Sequence, residues 1–154
     1  RARPKPSVGI HAHPVDEALT LEEGLLSIAL SGNLSSGDDW ESEIFLPHPY
    51  TFSMMKLFAF RDRLEDPNKE FGRYHALDLY TILATTTEGE WEYALHLRDQ
   101  YKDDPSAKEA GNLVSEYFSS QERLGMIRLM ESPYYRPELQ NEDFMSALQE
   151  MFPL

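Results

Sequence analysis

Five basic side chains, Lys56, Arg61, Arg63, Lys69 and Arg73, fall within eighteen positions, whereas residues 6 to 55 contain no lysine or arginine. They are five of the 14 lysines and arginines in a 154-residue chain that carries 27 aspartates and glutamates, for a formal net charge of −13. Clustered cations in so acidic a chain either hold a confined anionic ligand or are taken up in internal ion pairs. On a helix running from Phe52, Lys56 and Arg63 share one face two turns apart, with Phe60 between them and Arg61 to the side. That face can carry a phosphate chain. The same interval contains Asp62, Glu65, Asp66 and Glu70. In the ion-pair outcome Lys56 stretches out from the edge of an apolar stripe, and Arg61 and Arg63 pair with Asp62, Glu65, Asp66 or Asp78. Asp78 is in phase with neither Leu77 nor Tyr80, so it is expected at the flank of its helix's buried stripe, facing the basic helix near Arg63 or Arg73.

A second chemical candidate is His11-Ala12-His13, followed by Asp16 and Glu17. Two imidazoles at i and i+2 of a strand point to one face and can share a divalent metal. The pair resembles the His-x-His of amidohydrolase-type and polymerase-and-histidinol-phosphatase-type sites, which implies a metal-dependent hydrolase with His11 and His13 as ligands. Those folds are barrels of roughly 200 residues or more that supply further ligands from later strands. Here His48, His75 and His96 do not end later strands, and two ordinary polar residues at a strand terminus give the same pattern. There is no HExxH, glycine-rich phosphate loop, GxSxG elbow or cysteine nucleophile, so the common hydrolase and kinase readings fail. The pairs Glu22-Glu23 and Asp38-Asp39 are adjacent in sequence and do not share a helix face.

The elements that must position these residues change character near residue 50. Residues 8 to 13 (VGIHAH) and 25 to 30 (LLSIAL) read as strands, 33 to 39 (NLSSGDD) as a turn, and 43 to 46 (EIFL) as a strand closed by Pro47 and Pro49. Helices follow over 52–64, with Asp66-Pro67 as the stop, and over 73–84, with Leu77, Tyr80 and Ala84 on one face. The stretch DPNKEFG between them reads as a polar loop. Thr87 with Glu90 makes a capping box opening a helix through Tyr101, and Ser119 with Glu122 offers another before Leu124 to Met130. Helices over 106–118 and 142–152 complete the set, and Pro133 and Pro137 bracket a loop with Tyr134 and Tyr135. The expectation is an α+β fold in one domain, β-rich over 1–50 and helical over 51–154, with a loose bundle packed on a small sheet.

Composition limits the partners. At 41% hydrophobic residues the chain can bury one substantial core. A pI near 4.7 argues against duplex DNA and anionic membranes, since each phosphate contact draws on a lysine or arginine. The absence of cysteine excludes disulfides and thiolate metal sites. No run is apolar enough to span a bilayer and RARPKPSVG lacks a signal-peptide core, so a cytoplasmic protein is expected. The opening RARPKP, without methionine, leaves an upstream portion of the protein open.

One family resemblance draws the basic segment together. Phe45-Leu46-Pro47, then Lys56-Leu57-Phe58-Ala59-Phe60-Arg61-Asp62-Arg63, Lys69, and Ala76-Leu77-Asp78-Leu79-Tyr80 resemble the later half of nucleotidyltransferase-fold proteins of the AbiEii abortive-infection toxin type. Their corresponding segment carries a KLxAxxxR stretch and then a DLYDL-like stretch. The resemblance covers roughly residues 8 to 85 and implies nucleotide binding by Lys56, Arg63, Lys69, Arg73 and Asp78, with Lys56 on the phosphates and Asp78 organising the basic residues or the substrate. It further implies Mg²⁺-dependent transfer of a nucleotide from a nucleoside triphosphate to an RNA, protein or small-molecule acceptor, and an antitoxin partner. The family's Gly-Ser and its strand with two metal-binding carboxylates do not occur in these residues, so this chain by itself is expected not to transfer nucleotide. The other function class is a non-enzymatic interaction domain whose surface includes some of Trp91, Tyr93, Tyr101, Tyr117, Phe118, Tyr134 and Tyr135. Helical spacing assigns Trp91, Tyr101, Tyr117 and Phe118 to the core instead.

Overall fold

Two strands, β1 (Leu26–Asn33) and β2 (Asp39–Leu46), form an antiparallel ribbon in the computed structural model of the protein, which describes residues 18–154. Residues 8 to 13, read as a strand, and with them His11, His13 and Asp16, lie outside the described residues. The register runs from Leu26 opposite Leu46 to Asn33 opposite Asp39. Because facing partners share a side, Leu26, Ile28, Leu30, Trp40, Ile44 and Leu46 lie on one face, and Asp39, Glu41 and Glu43 on the other with Ser27, Ser31 and Asn33. The turn is closed by the Leu34 N–H donating to the Asp38 carbonyl and the Gly37 N–H to the Leu34 carbonyl, both at 2.8 Å. Gly37 takes φ +90°, a conformation that costs a side-chain-bearing residue steric strain. In-register pairing up to this turn extends both strands past the 25–30 and 43–46 stretches expected from sequence.

The fold is α+β, and the remainder is helical: α1 (Pro49–Arg63), a 3-10 segment (Pro67–Gly72), α2 (Arg73–Thr85), α3 (Glu88–Tyr101), α4 (Pro105–Tyr117), α5 (Leu124–Met130) and α6 (Asn141–Met151). α1 starts three residues before the expected Phe52. Proline's fixed φ suits the first helical position, and the His48 Nδ1 accepts from the Tyr50 N–H at 3.4 Å. The DPNKEFG stretch is the 3-10 segment, in which Glu70 and Phe71 are left-handed, with φ of 51° and 54°. The Thr87–Glu90 capping box forms as expected. The Ser119–Glu122 box does not, because the Ser119 hydroxyl donates to the Ser115 carbonyl at 2.6 Å and Arg123 occupies the N-cap of α5 without a side-chain bond.

The core lies among the helices. α1 buries Tyr50, Met54, Leu57 and Phe60, α2 buries Ala76, Leu79, Tyr80 and Leu83, and α6 buries Phe144, Leu148 and Met151. Each set recurs at the three- and four-residue spacing of one helix face. The α2 stripe is thus centred on Ala76 and Leu79, with the expected Leu77 and Ala84 only partly buried beside it. Aromatic rings bind the elements together: Phe60 to Phe118 at 5.2 Å between centroids, and Tyr80 to Tyr135 at 5.2 Å and to Phe144 at 5.4 Å. The Tyr80 hydroxyl donates to the Leu139 carbonyl at 2.8 Å and accepts from the Leu139 N–H at 2.6 Å, fixing the loop before α6. The ribbon stands apart from this core. All its strand residues except Leu26 are exposed, so the expected packing of bundle on sheet does not hold along its length.

Candidate functional site

Where the base of the ribbon meets the helices there is a cleft of about 320 Å³. Leu26, Leu46, Pro47 and Phe52 give it apolar walls, and Asp78, Thr81, Ile82 and Thr85 of α2 line it at i, i+3, i+4 and i+7. Lys56, one turn after Phe52 on α1, reaches the same wall. Its ammonium stands 2.7 Å from Asp78 Oδ2 and 4.9 Å from the centre of the Phe52 ring. One of its three protons satisfies Asp78, which leaves donor capacity beside the cleft. The cleft's hydroxyls are already engaged: Thr81 donates to the Leu77 carbonyl at 2.9 Å, Thr85 to Thr81 at 2.8 Å and Thr86 to Ile82 at 2.7 Å.

His75, three residues before Asp78 on α2, lies beside the Lys56–Asp78 pair. Its Nδ1 lies 4.0 Å from Asp78 Oδ2 and has no hydrogen-bond partner. Burial first, then the positive charges of Lys56 and Arg63, hold its pKa below the usual 6.5, against the opposing pull of Asp78. That shift favours the neutral ring beside these cations. His48, the N-cap of α1, is buried, its pKa also lowered, chiefly by burial and against the pull of Glu90. Its ring meets Tyr93 edge-on at 5.0 Å. Glu90 lines the cleft with its own pKa lowered by hydrogen bonds from the Thr87 backbone and hydroxyl.

Of the five residues expected to bind nucleotide, the structure brings two together. Lys56 and Asp78, twenty-two positions apart, form an ion pair; the partner of Asp78 is Lys56, not Arg63 or Arg73, because the middles of α1 and α2 face each other. Arg63 is exposed at the end of α1 and reaches the group only through its field on His75. Lys69 is exposed in the 3-10 segment, and Arg73 pairs with Glu70 and donates to the Glu131 carbonyl at 3.4 Å. Arg61 pairs with Asp62 at 3.1 Å and Glu109 at 3.2 Å. The expected helix face with Lys56 and Arg63 as paired ligands is thus not gathered at one cleft. His75 and the α2 series Asp78, Thr81, Ile82 and Thr85 were not picked out from sequence. Their i, i+3, i+4, i+7 spacing was the available signal.

The Mg²⁺ implied by the family resemblance finds no carboxylate set among the described residues, where no three or more of His, Cys, Asp and Glu cluster to hold a metal ion. Of the aromatics considered as a partner surface, Phe118 is buried, and Trp91, Tyr101, Tyr117 and Tyr135 pack against the core. Tyr93 and Tyr134 are exposed. Among the described residues no helix is long and apolar enough to cross a membrane. No protein-family model, no curated protein and no solved structure matches this chain.

Proposed function

We propose that this chain is the nucleotide-phosphate-binding portion of a nucleotidyltransferase-like protein, with a nucleoside triphosphate held at the cleft through Lys56. The observation that carries this reading is the meeting of Lys56 and Asp78 at one wall of the cleft. These are the residues to which the family resemblance gives a phosphate-binding and an organising role. Asp78 holds the ammonium in place, the Lys56 protons left over by Asp78 bind phosphate oxygens, and Phe52, Pro47 and Ile82 supply apolar surface for a base. Transfer of the nucleotide to an RNA, protein or small-molecule acceptor belongs to the complete protein, since it needs carboxylates and Mg²⁺ beyond those at this cleft. One or two charge-assisted contacts of about 1.5–3 kcal/mol each, less the ordering cost, give millimolar to high-micromolar affinity at best. Calorimetric titration with ATP, GTP, CTP and UTP tests it. Binding that disappears in Lys56→Ala and persists in Arg61→Ala supports the reading; identical heats in wild type and Lys56→Ala overturn it.

A non-enzymatic interaction domain is the second reading, favoured by one observation: Ile28, Leu30, Trp40 and Ile44 share an exposed ribbon face that no helix among the described residues covers. Large apolar side chains grouped in this way are typical of interaction surfaces.

A further inference from the structure

We infer that the outer edge of β2 is a docking site for an extended segment of a separate polypeptide in which apolar residues alternate with lysine or arginine. The inference deepens the interaction-domain reading and rests on it, and it is independent of nucleotide binding at the cleft. A two-stranded ribbon with both faces in water is marginal without a third strand or a helix to cover it. In β1 and β2 every strand residue except Leu26 is exposed, and the sheet holds only these two strands among the described residues. The backbone groups of β2 turned away from β1 are therefore a template for strand addition.

The sequence of β2 specifies what such a strand must look like. Its odd positions place the carboxylates of Asp39, Glu41 and Glu43 on one face, followed by exposed Phe45, and its even positions Trp40, Ser42, Ile44 and Leu46 face the other way. From Leu26 to Leu46 the ribbon contains no lysine or arginine. The Asn33 amide donates to Asp39 at 2.7 Å and the Ser27 hydroxyl to Glu43, so neutral groups alone hold these carboxylates within the ribbon. A strand laid along β2 presents alternate residues to each face. Basic residues then stand opposite Asp39, Glu41 and Glu43, and apolar ones continue the Trp40–Ile44 face. Charge also opposes pairing of β2 with the β2 of a second copy, since two such strands side by side would set carboxylate against carboxylate on one face. A segment with acidic alternate residues is rejected for the same reason.

The test uses the full chain and two synthetic peptides as long as β2, one alternating lysine with valine and the other glutamate with valine. Binding is followed by amide chemical shifts. The lysine peptide is expected to move the signals of Asp39 to Leu46 and to bind about tenfold more weakly at high salt, and the glutamate peptide to leave them unchanged. The double variant Glu41→Lys with Glu43→Lys is expected to lose the lysine peptide, and Glu92→Lys with Glu150→Lys, of equal charge change on exposed helical positions, to keep it. Equal loss in both double variants would mean bulk attraction to an acidic protein and overturns the site. Equal binding of both peptides at β2 overturns the basic chemistry and leaves the interaction-domain reading standing. No shift at the ribbon with either peptide overturns the docking edge, and leaves the interaction-domain reading to its apolar face. A concentration-dependent dimer whose contacts map to β2 without peptide assigns the edge to a second copy and overturns the inference.

Discussion

Asp78 shows how exposure decides what an ion pair is worth. Its 2.7 Å contact with Lys56 has the geometry of a strong bond, but the two side chains keep 44% and 21% of their exposure. Water screens a pair so placed, and the contribution falls to about 0.2–1 kcal/mol rather than the several expected of a buried pair. Asp78→Ala is therefore expected to lower stability in urea by no more than about 1 kcal/mol. A loss of 3 kcal/mol or more would mean that Lys56 is left as an uncompensated buried charge. The same variant frees the Lys56 ammonium, so any nucleotide affinity at the cleft is expected to change while the fold persists.

Among the elements, α5 owes its placement to a single missing side chain. Gly125, in its first turn, lies where a Cβ would come 2.5 Å from the Phe118 ring and 2.6 Å from the Tyr117 carbonyl oxygen. Phe118 is itself held between Phe60 and Phe144, so it has no room to retreat. Gly125→Ala is expected to destabilise the protein by about 1–3 kcal/mol through overpacking, despite alanine's better helix propensity. An unchanged or raised melting temperature would show that the junction of α4 and α5 yields. Gly89, in the first turn of α3, has no atom within 4 Å of its ideal Cβ and is the control position, where alanine meets no such clash.

Over the whole molecule, two histidines tie stability to pH. His48 and His75 both have pKa values lowered from 6.5, chiefly by burial, although Glu90 and Asp78 pull the other way. Between the folded value and 6.5 the unfolded chain binds more protons than the folded one, so stability rises with pH in that window. The stabilisation is fully present above 6.5 and is lost as pH falls through the lowered values. Melting temperature is expected to drop between about pH 7.5 and about pH 5.5, and the drop to shrink in His75→Asn. A flat profile, or one unchanged by the substitution, would contradict this account of the two rings.

Local rules were enough for most of the helices and for the ribbon turn. Thr87 and Glu90 carry their capping box in four consecutive residues, and Gly37 in an Asn–Asp-rich stretch marks the turn whatever surrounds it. The seven-residue spacing of Lys56 and Arg63 likewise fixes their helix face. Which cation meets which acid was not written locally, because it depends on how α1 and α2 face each other. Asp78 pairs with Lys56, while Arg73 turns to Glu70 and the end of α5. The Ser119–Glu122 box, a correct local pattern, gives way to a bond from Ser119 back to Ser115 as α4 ends. The exposure of the ribbon was equally hidden, since alternating apolar residues look the same in sequence whether a neighbouring element covers them or not. Spacing along one chain determines faces; only packing between elements decides what each face meets.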